Sequence, residues 1–220
     1  MKYIIIAIVS VLFSCKGFSQ EITELRENHL DTTKVIGFIF LDLAPTANAI
    51  NIFNYEDKII FSVKNNEVCF NNKRFDLKKE EHLYREGFKV EAFYPEHGLF
   101  VLKCYANSNG FYYVDFNNQF CKIRNDGDSV EFKDLESYIL ETYPIPTNSN
   151  PVRTEPNDYS KTVKRFLDLV FIPIEIKGDW VKVIDSKDCY SGEYPSKENI
   201  EGWIRWRRDG VIIINVAYIC

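Results

Sequence analysis

The sequence predicts a mainly β protein made of two small β domains joined by a short helix and a Pro-rich connector. Many short runs of aromatic and β-branched residues are bounded by Asn, Gly, Pro or Asp, the rhythm of an antiparallel sandwich or barrel. Phe (17) and Tyr (13) far outnumber Met (1), a bias toward residues that suit a pleated surface. Between two such series, Tyr143-Pro144-Ile145-Pro146-Thr147-Asn148-Ser149-Asn150-Pro151 supplies three prolines and a polar cluster, the composition of a connector.

The chain opens on Lys2 and the apolar run Ile4–Phe13, then turns polar at Ser14-Cys15-Lys16-Gly17. One cation before a short apolar stretch is the pattern of an export signal, and the run is too short to span a bilayer. The segments expected are therefore 1–19 as signal, 20–34 as a polar stretch, 35–143 as a first β domain and 144–220 as a second. Two processing routes are open. Cleavage after Ser19, with Gly17 and Ser19 as the small residues, frees the chain. Alternatively, Leu12-Phe13-Ser14-Cys15 resembles a lipobox, and Cys15 becomes a lipidated first residue that tethers the protein to a membrane. Either route implies an extracytoplasmic protein, periplasmic or secreted, with the membrane reached only through Cys15.

In the first domain, strand-like runs fall at 36–43, 49–53, 58–63, 67–70, 88–94, 99–105, 111–116 and 120–124, with turns at Asn65-Asn66, Asn71-Asn72, Glu96-His97-Gly98 and Asn117-Asn118. Asp134–Thr142 is the best helix after the signal, because Leu135, Tyr138, Ile139 and Thr142 share one face.

In the second domain, Ile172, Ile174 and Ile176 alternate with Pro173, Glu175 and Lys177, as in a half-buried strand. Gly178-Asp179 supplies a tight turn, and Val181 and Val183 share the next strand's face. Asp209-Gly210 favours a type I′ hairpin, since both central residues need positive φ. Val211–Val216 is expected to close the sheet.

Four pieces of this region resemble bacterial SH3-like domains in the family's order: Asn150-Pro151-Val152-Arg153-Thr154-Glu155-Pro156-Asn157, Tyr159-Ser160-Lys161-Thr162-Val163, Ile176-Lys177-Gly178-Asp179-Trp180-Val181-Lys182-Val183, and Gly202-Trp203-Ile204. The resemblance covers residues 150 to about 214 and implies a small SH3-like barrel. Ile184–Glu201 departs from the pattern as a longer, charged link. In the first domain, Phe93-Tyr94-Pro95 followed by Phe111–Asp115 echoes the layout, with Tyr in place of Trp, as a divergent second copy would.

Net charge is -5. Removal of residues 1–19 takes away Lys2 and Lys16 and no acid, leaving 25 bases against 32 acids, or -7. An acidic chain is a poor candidate for nucleic acid, which calls for a basic footprint. Of the 6 cysteines, Cys69, Cys104, Cys121, Cys189 and Cys220 remain after processing. One or two disulfides are open to them in an oxidising compartment, with a thiol left over. No CxxC pair suggests zinc, and His29, His82 and His97 lack metal-ligand spacing.

Asp188-Cys189-Tyr190-Ser191-Gly192 is similar to the nucleophile segment of cell-wall peptidases, but Tyr190 interrupts it. No histidine follows to take the thiol's proton. Asn125-Asp126-Gly127-Asp128-Ser129 reads as a turn, without the distal Glu of a calcium loop. The sequence thus points to no catalytic residue, no metal and no cofactor.

In Trp203-Ile204-Arg205-Trp206-Arg207-Arg208, aromatics and cations interleave, either as a recognition surface or as one core Trp flanked by solvated arginines. SH3-like barrels recognise extended peptides through an aromatic groove. The resemblance therefore implies an exported, non-catalytic binding module of the cell envelope. Its ligand would be a peptide, peptidoglycan or an envelope protein, with Tyr159, Trp180, Tyr190, Tyr194, Trp206 and Arg205 as binding residues. The alternative is a structural or inhibitory partner of one envelope protein, with no cell-wall ligand.

Overall fold

The apolar runs around Phe38 and Phe100 form adjacent strands, second and third from one edge of a large antiparallel sheet. The computed structural model describes residues 34–43, 49–64, 67–70, 73–76, 89–94, 97–125, 129–163, 170–186 and 200–218. The export signal, Cys15, His29 and His82 lie outside the described residues, as do 187–199. Lys34–Cys220 makes up one compact unit. Its described part is mainly β with one short helix, the class the sequence predicts.

The large sheet has ten strands: β1 Gly37–Asp42, β2 Ile50–Phe53, β3 Ile59–Lys64, β4 Glu67–Phe70, β5 Lys73–Asp76, β6 Ala92–Tyr94, β7 Leu99–Ser108, β8 Phe111–Phe116, β9 Gln119–Arg124 and β10 Val130–Asp134. Their order is β10-β1-β7-β8-β9-β2-β3-β4-β5, with β6 added to β7. Tight turns set the registers. Asn109-Gly110 joins β7 to β8 and Asn117-Asn118 joins β8 to β9, all four with positive φ, the backbone of type I′ hairpins. The sequence signals miss β5, with a single apolar residue, and β10, where only Val130 and Phe132 alternate with charges.

β1 and β7 are buried on both faces. On one side Ile39, Leu41, Phe100, Leu102 and Cys104 join Ile52, Phe61, Phe116 and Ile123 in a first core. On the other, Phe38 and Val101 join a second core with Ala92, Tyr138, Ile139, Val152, Phe171, Val181, Val183, Ile204 and Trp206. Strands covered on both faces read as unbroken apolar runs, not as alternating ones, which is the character of Gly37-Phe38-Ile39-Phe40-Leu41. Gly37 allows the crowded crossing with β10. A Cβ there would lie 2.3 Å from the Lys133 carbonyl oxygen and 2.6 Å from the Phe132 ring.

The helix α1, Leu135–Leu140, sits where the sequence predicts it. Asp134 caps it: the Ser137 N–H donates to Asp134 Oδ1 at 2.8 Å. That donation holds the Asp134 carboxyl below its ordinary range. Tyr138 stacks on Phe38 at 3.6 Å between centroids, so the apolar helix face closes onto the sheet. Thr142, on the same face, is buried and donates to the Tyr138 carbonyl at 3.0 Å.

Beyond the helix, part of the expected connector is itself a strand. β11 Tyr143–Ile145 pairs with β17 Asn215–Ala217. A three-stranded sheet follows: β12 Phe171–Lys177, β13 Trp180–Asp185 and β14 Glu201–Arg205. Asp209-Gly210, with φ 51° and 80°, closes the hairpin of β15 Arg207–Arg208 and β16 Val211–Ile212, as the dipeptide predicts. The turn between β12 and β13 has Gly178 at φ 59° as its first central residue, where a type II′ turn favours Gly.

Two expectations are corrected. The run Val211–Val216 does not close one sheet, because β16 pairs with β15 and β17 with β11. Nor do Ile172, Ile174 and Ile176 share a half-buried face. A register shift between Pro173 and Glu175 leaves Phe171 buried and Ile172 and Ile174 exposed, and turns Ile176 to the core. A bulge inserts one residue and so inverts the alternation beyond it.

Candidate functional site

Residues 152–163 fold back on themselves beside β14. The Thr154 N–H donates to the Lys161 carbonyl at 2.9 Å, and Val163 to Val152 at 2.9 Å. Arg153 and Trp203 exchange two backbone bonds of 2.8 Å. This approach requires Gly202, whose added Cβ would stand 2.6 Å from both the Arg153 carbonyl oxygen and Val152 Cγ1.

The tip of this loop is held by its own polar side chains. Ser160 Oγ donates to the Glu155 carbonyl at 2.8 Å, and Arg153 Nη1 donates to the Ser160 carbonyl at 2.9 Å. Asn157 Oδ1 accepts from the Tyr159 N–H at 3.0 Å, an Asx turn. Tyr159 therefore stands on a braced backbone while its side chain is 99% exposed.

An ion-pair network fixes the loop to the sheet. Arg205 Nη1 meets Asp158 Oδ2 at 2.5 Å, and its Nη2 lies 3.6 Å from Asp179 Oδ2. Arg207 Nε donates to Asp179 Oδ1 at 3.0 Å, and Arg208 Nη2 lies 3.7 Å from Asp158 Oδ1. Single exposed pairs contribute about 0–1 kcal/mol, and networks with shared partners contribute more per pair. The three arginines are engaged by two carboxylates, so their role here is to brace the loop.

Four of the predicted binding residues are described. Tyr159 is at the exposed tip and Arg205 at its base. Trp180 is buried, with the Arg205 guanidinium 5.8 Å from its ring centroid. Trp206 is in the second core at 0% exposure, and its Nε1–H donates to the Gly178 carbonyl at 3.0 Å. Its indole thus packs inside the domain and does not line a groove. The strand period accounts for this: Ile204 and Trp206 face the core, while Trp203, Arg205 and Arg207 face outward.

Tyr190 and Tyr194 lie outside the described residues, as do Cys189 and Cys220. Asp158 and Asp179 are essential to the arrangement and were not among the predicted residues. Their only signal is the run of arginines at 205, 207 and 208, at the end of β14 and in β15, which favours acids on whatever packs beside it.

Two of the described cysteines are buried in the first core. Burial pushes the Cys104 and Cys121 thiols up to about 12, well away from thiolate chemistry. Cys69, Cys104 and Cys121 are all free. Cys104 and Cys121 both register with Val114, on either side of β8. Two strand spacings separate them by roughly 10 Å, beyond the reach of about 7 Å for a disulfide. His97 is exposed. Among the described residues no three His, Cys, Asp or Glu side chains gather to hold a metal ion, and no helix is long and apolar enough to cross a membrane.

No protein-family model matches this chain, and neither a curated protein nor a solved structure matches it.

Proposed function

We propose that this chain is an exported, non-catalytic binding module of the bacterial cell envelope that takes a peptide or cell-wall ligand on its SH3-like region. The observation that carries the reading is Tyr159, an aromatic side chain almost wholly in solvent on a loop immobilised by Asp158, Ser160, Arg153 and Arg205. A rigid aromatic loses little entropy on contact, and such residues dominate binding surfaces. The Lys2-led apolar run supports export, and the four sequence pieces across 150–214 support the SH3-like assignment.

The test is co-sedimentation of the purified protein with cell-wall sacculi, with and without Tyr159→Ala. The wild type is expected to sediment with the wall. The variant, unchanged in circular dichroism, is expected to bind roughly tenfold more weakly or worse, as for a contact-centre aromatic. Equal retention of both proteins would remove Tyr159 from the site. No retention of the wild type would remove the cell-wall ligand.

A further inference from the structure

The edge strand β10, Val130–Asp134, pairs with β1 along one side, and no described strand pairs with its other side. Exposed edges invite pairing with another chain, and proteins blunt them with proline, bulges or short length. The edge strand β12 carries two of these devices, Pro173 and the register shift beside it. β10 carries neither. Its register with β1 runs unshifted over 5 residues, from Val130 opposite Leu41 to Asp134 opposite Gly37. None of these residues is buried. At the end of the strand α1 turns onto the face of the sheet, where Tyr138 stacks on Phe38.

The hydrogen-bond pattern tells which backbone groups face outward. The Asp42 N–H donates to the Ser129 carbonyl at 3.0 Å, so Asp42 and Ser129 form a bonded pair. Bonded and non-bonded pairs alternate along an antiparallel ladder. Phe40 with Glu131 and Phe38 with Lys133 are therefore the bonded pairs of β1 and β10, and the Lys133 carbonyl lies against Gly37 accordingly. Val130, Phe132 and Asp134 hold the alternate positions, with their N–H and C=O groups pointing away from β1. The side chains of Val130 and Phe132 pack on the first core, where Phe132 stacks on Tyr112 at 5.6 Å between centroids. Glu131 and Lys133 project from the other face. Lys133 pairs with Glu141 and lies 3.5 Å from Glu131, whose side chain is 65% exposed.

We propose that β10 pairs antiparallel with β10 of a second copy of this chain, about a two-fold axis at Phe132. On that axis the two Phe132 residues exchange both of their outward backbone bonds, and Val130 stands opposite Asp134 of the second copy. Charge selects this register. Glu131 stands opposite Lys133 of the second copy in a non-bonded pair, where side chains approach most closely. Moving the axis by one residue sets Glu131 against Glu131 or Lys133 against Lys133, and like charges directly opposite are destabilising. The contact is isologous, so pairing stops at two copies and consumes both edges. An edge of 5 residues makes a small interface, of the transient class.

The experiment is analytical ultracentrifugation of the intact protein from about 1 µM to about 500 µM, a span suited to a small transient interface, with amide hydrogen exchange measured at both ends of that range. A monomer–dimer equilibrium is expected, with Kd on the order of 100 µM. Glu131→Lys, at an exposed position, is expected to weaken it at least about tenfold, because both cross-strand pairs become like-charged. Val130→Pro removes an outward N–H at the first residue of the strand, where proline is tolerated, and is expected to abolish the dimer. Exchange at the Val130 and Phe132 amides is expected to slow as the dimer forms, while Glu131 and Lys133, already bonded to β1, change least. The proposal is overturned if the protein stays monomeric across the range, if both variants dimerise as the wild type does, or if the dimer leaves exchange at Val130 and Phe132 unchanged. The Tyr159 loop takes no part in any of these outcomes.

Discussion

The two cores on either side of β1 and β7 are built in opposite ways. The first lies on one sheet. Ile52 and Phe61 come from the hairpin series β2 to β5, and Phe100, Phe116 and Ile123 from the series β7 to β9, which the long-range pairing of β9 with β2 joins, while β1 adds Ile39 beside β7. The second gathers Phe38, Ala92, Val101, Tyr138, Val152, Phe171, Val183, Ile204 and Trp206 from segments far apart in sequence. Within each series, local pairing supports the first core hairpin by hairpin. The second exists only when the helix, the three-stranded sheet and the wall of β1 and β7 are all in place. Its ordering therefore follows from tertiary packing more than from local propensity.

The largest effect is expected from Trp206→Ala, at about 3–5 kcal/mol for a truncated core aromatic, with the Gly178 carbonyl also losing its donor. All 3 tryptophans, Trp180, Trp203 and Trp206, lie in the C-terminal region, so their fluorescence follows that region while far-ultraviolet circular dichroism follows the whole sheet. In urea the two signals are expected to share one midpoint in the wild type, because β1 and β7 serve both cores. Separate midpoints would mean that the cores unfold independently.

Next is Gly202→Ala. Its Cβ would press on the Arg153 carbonyl oxygen and Val152 at 2.6 Å, and overpacking of this kind costs about 1–3 kcal/mol. Thermal denaturation is expected to show that loss, and limited proteolysis is expected to cut first within residues 152–163. An undisturbed loop would separate the Tyr159 platform from the core that supports it.

The smallest effect has the opposite sign. Burial raises the Asp115 carboxyl above its ordinary 3.8. The stability tied to its protonated form is present below that value and lost as pH rises through the folded value. At neutral pH the ionised group is a burden, with Glu91, Lys103 and Tyr105 as its charged or titratable neighbours. Asp115→Asn is expected to raise Tm slightly at pH 7, on a scale of about 2–4 °C per kcal/mol, and to lose that advantage near pH 4. A lower Tm at pH 7 would make Asp115 a structural residue.

The same contrast explains what was legible in the sequence. The strands of the first core carried their turns with them. Asn117-Asn118 there, and Asp209-Gly210 in the C-terminal region, have the positive φ that their residue types favour, and the shared face of Leu135, Tyr138 and Ile139 marked the helix. Strand β11 was hidden because its partner β17 lies at the far end of the chain, where local pattern carries no information. The bulge at Pro173 reversed a face that alternation alone assigns wrongly. Within the candidate site, Tyr159 and Arg205 could be named from their types, but Trp206 depended on which strand face met the core. Asp158 and Asp179 required the fold, since their arginine partners Arg205 and Arg207 lie 47 and 28 residues away in sequence.

The row Cys104–Val114–Cys121 has a consequence for how this protein is lost. While β8 is in place it insulates two thiols that face the same core, and an oxidant has no access to them. Once β8 peels away, the thiols are freed to meet, and under oxidising conditions their bond would lock the chain out of its native register. Unfolding would then act as a ratchet, so that the rate of strand opening sets the protein's working lifetime and not its equilibrium stability.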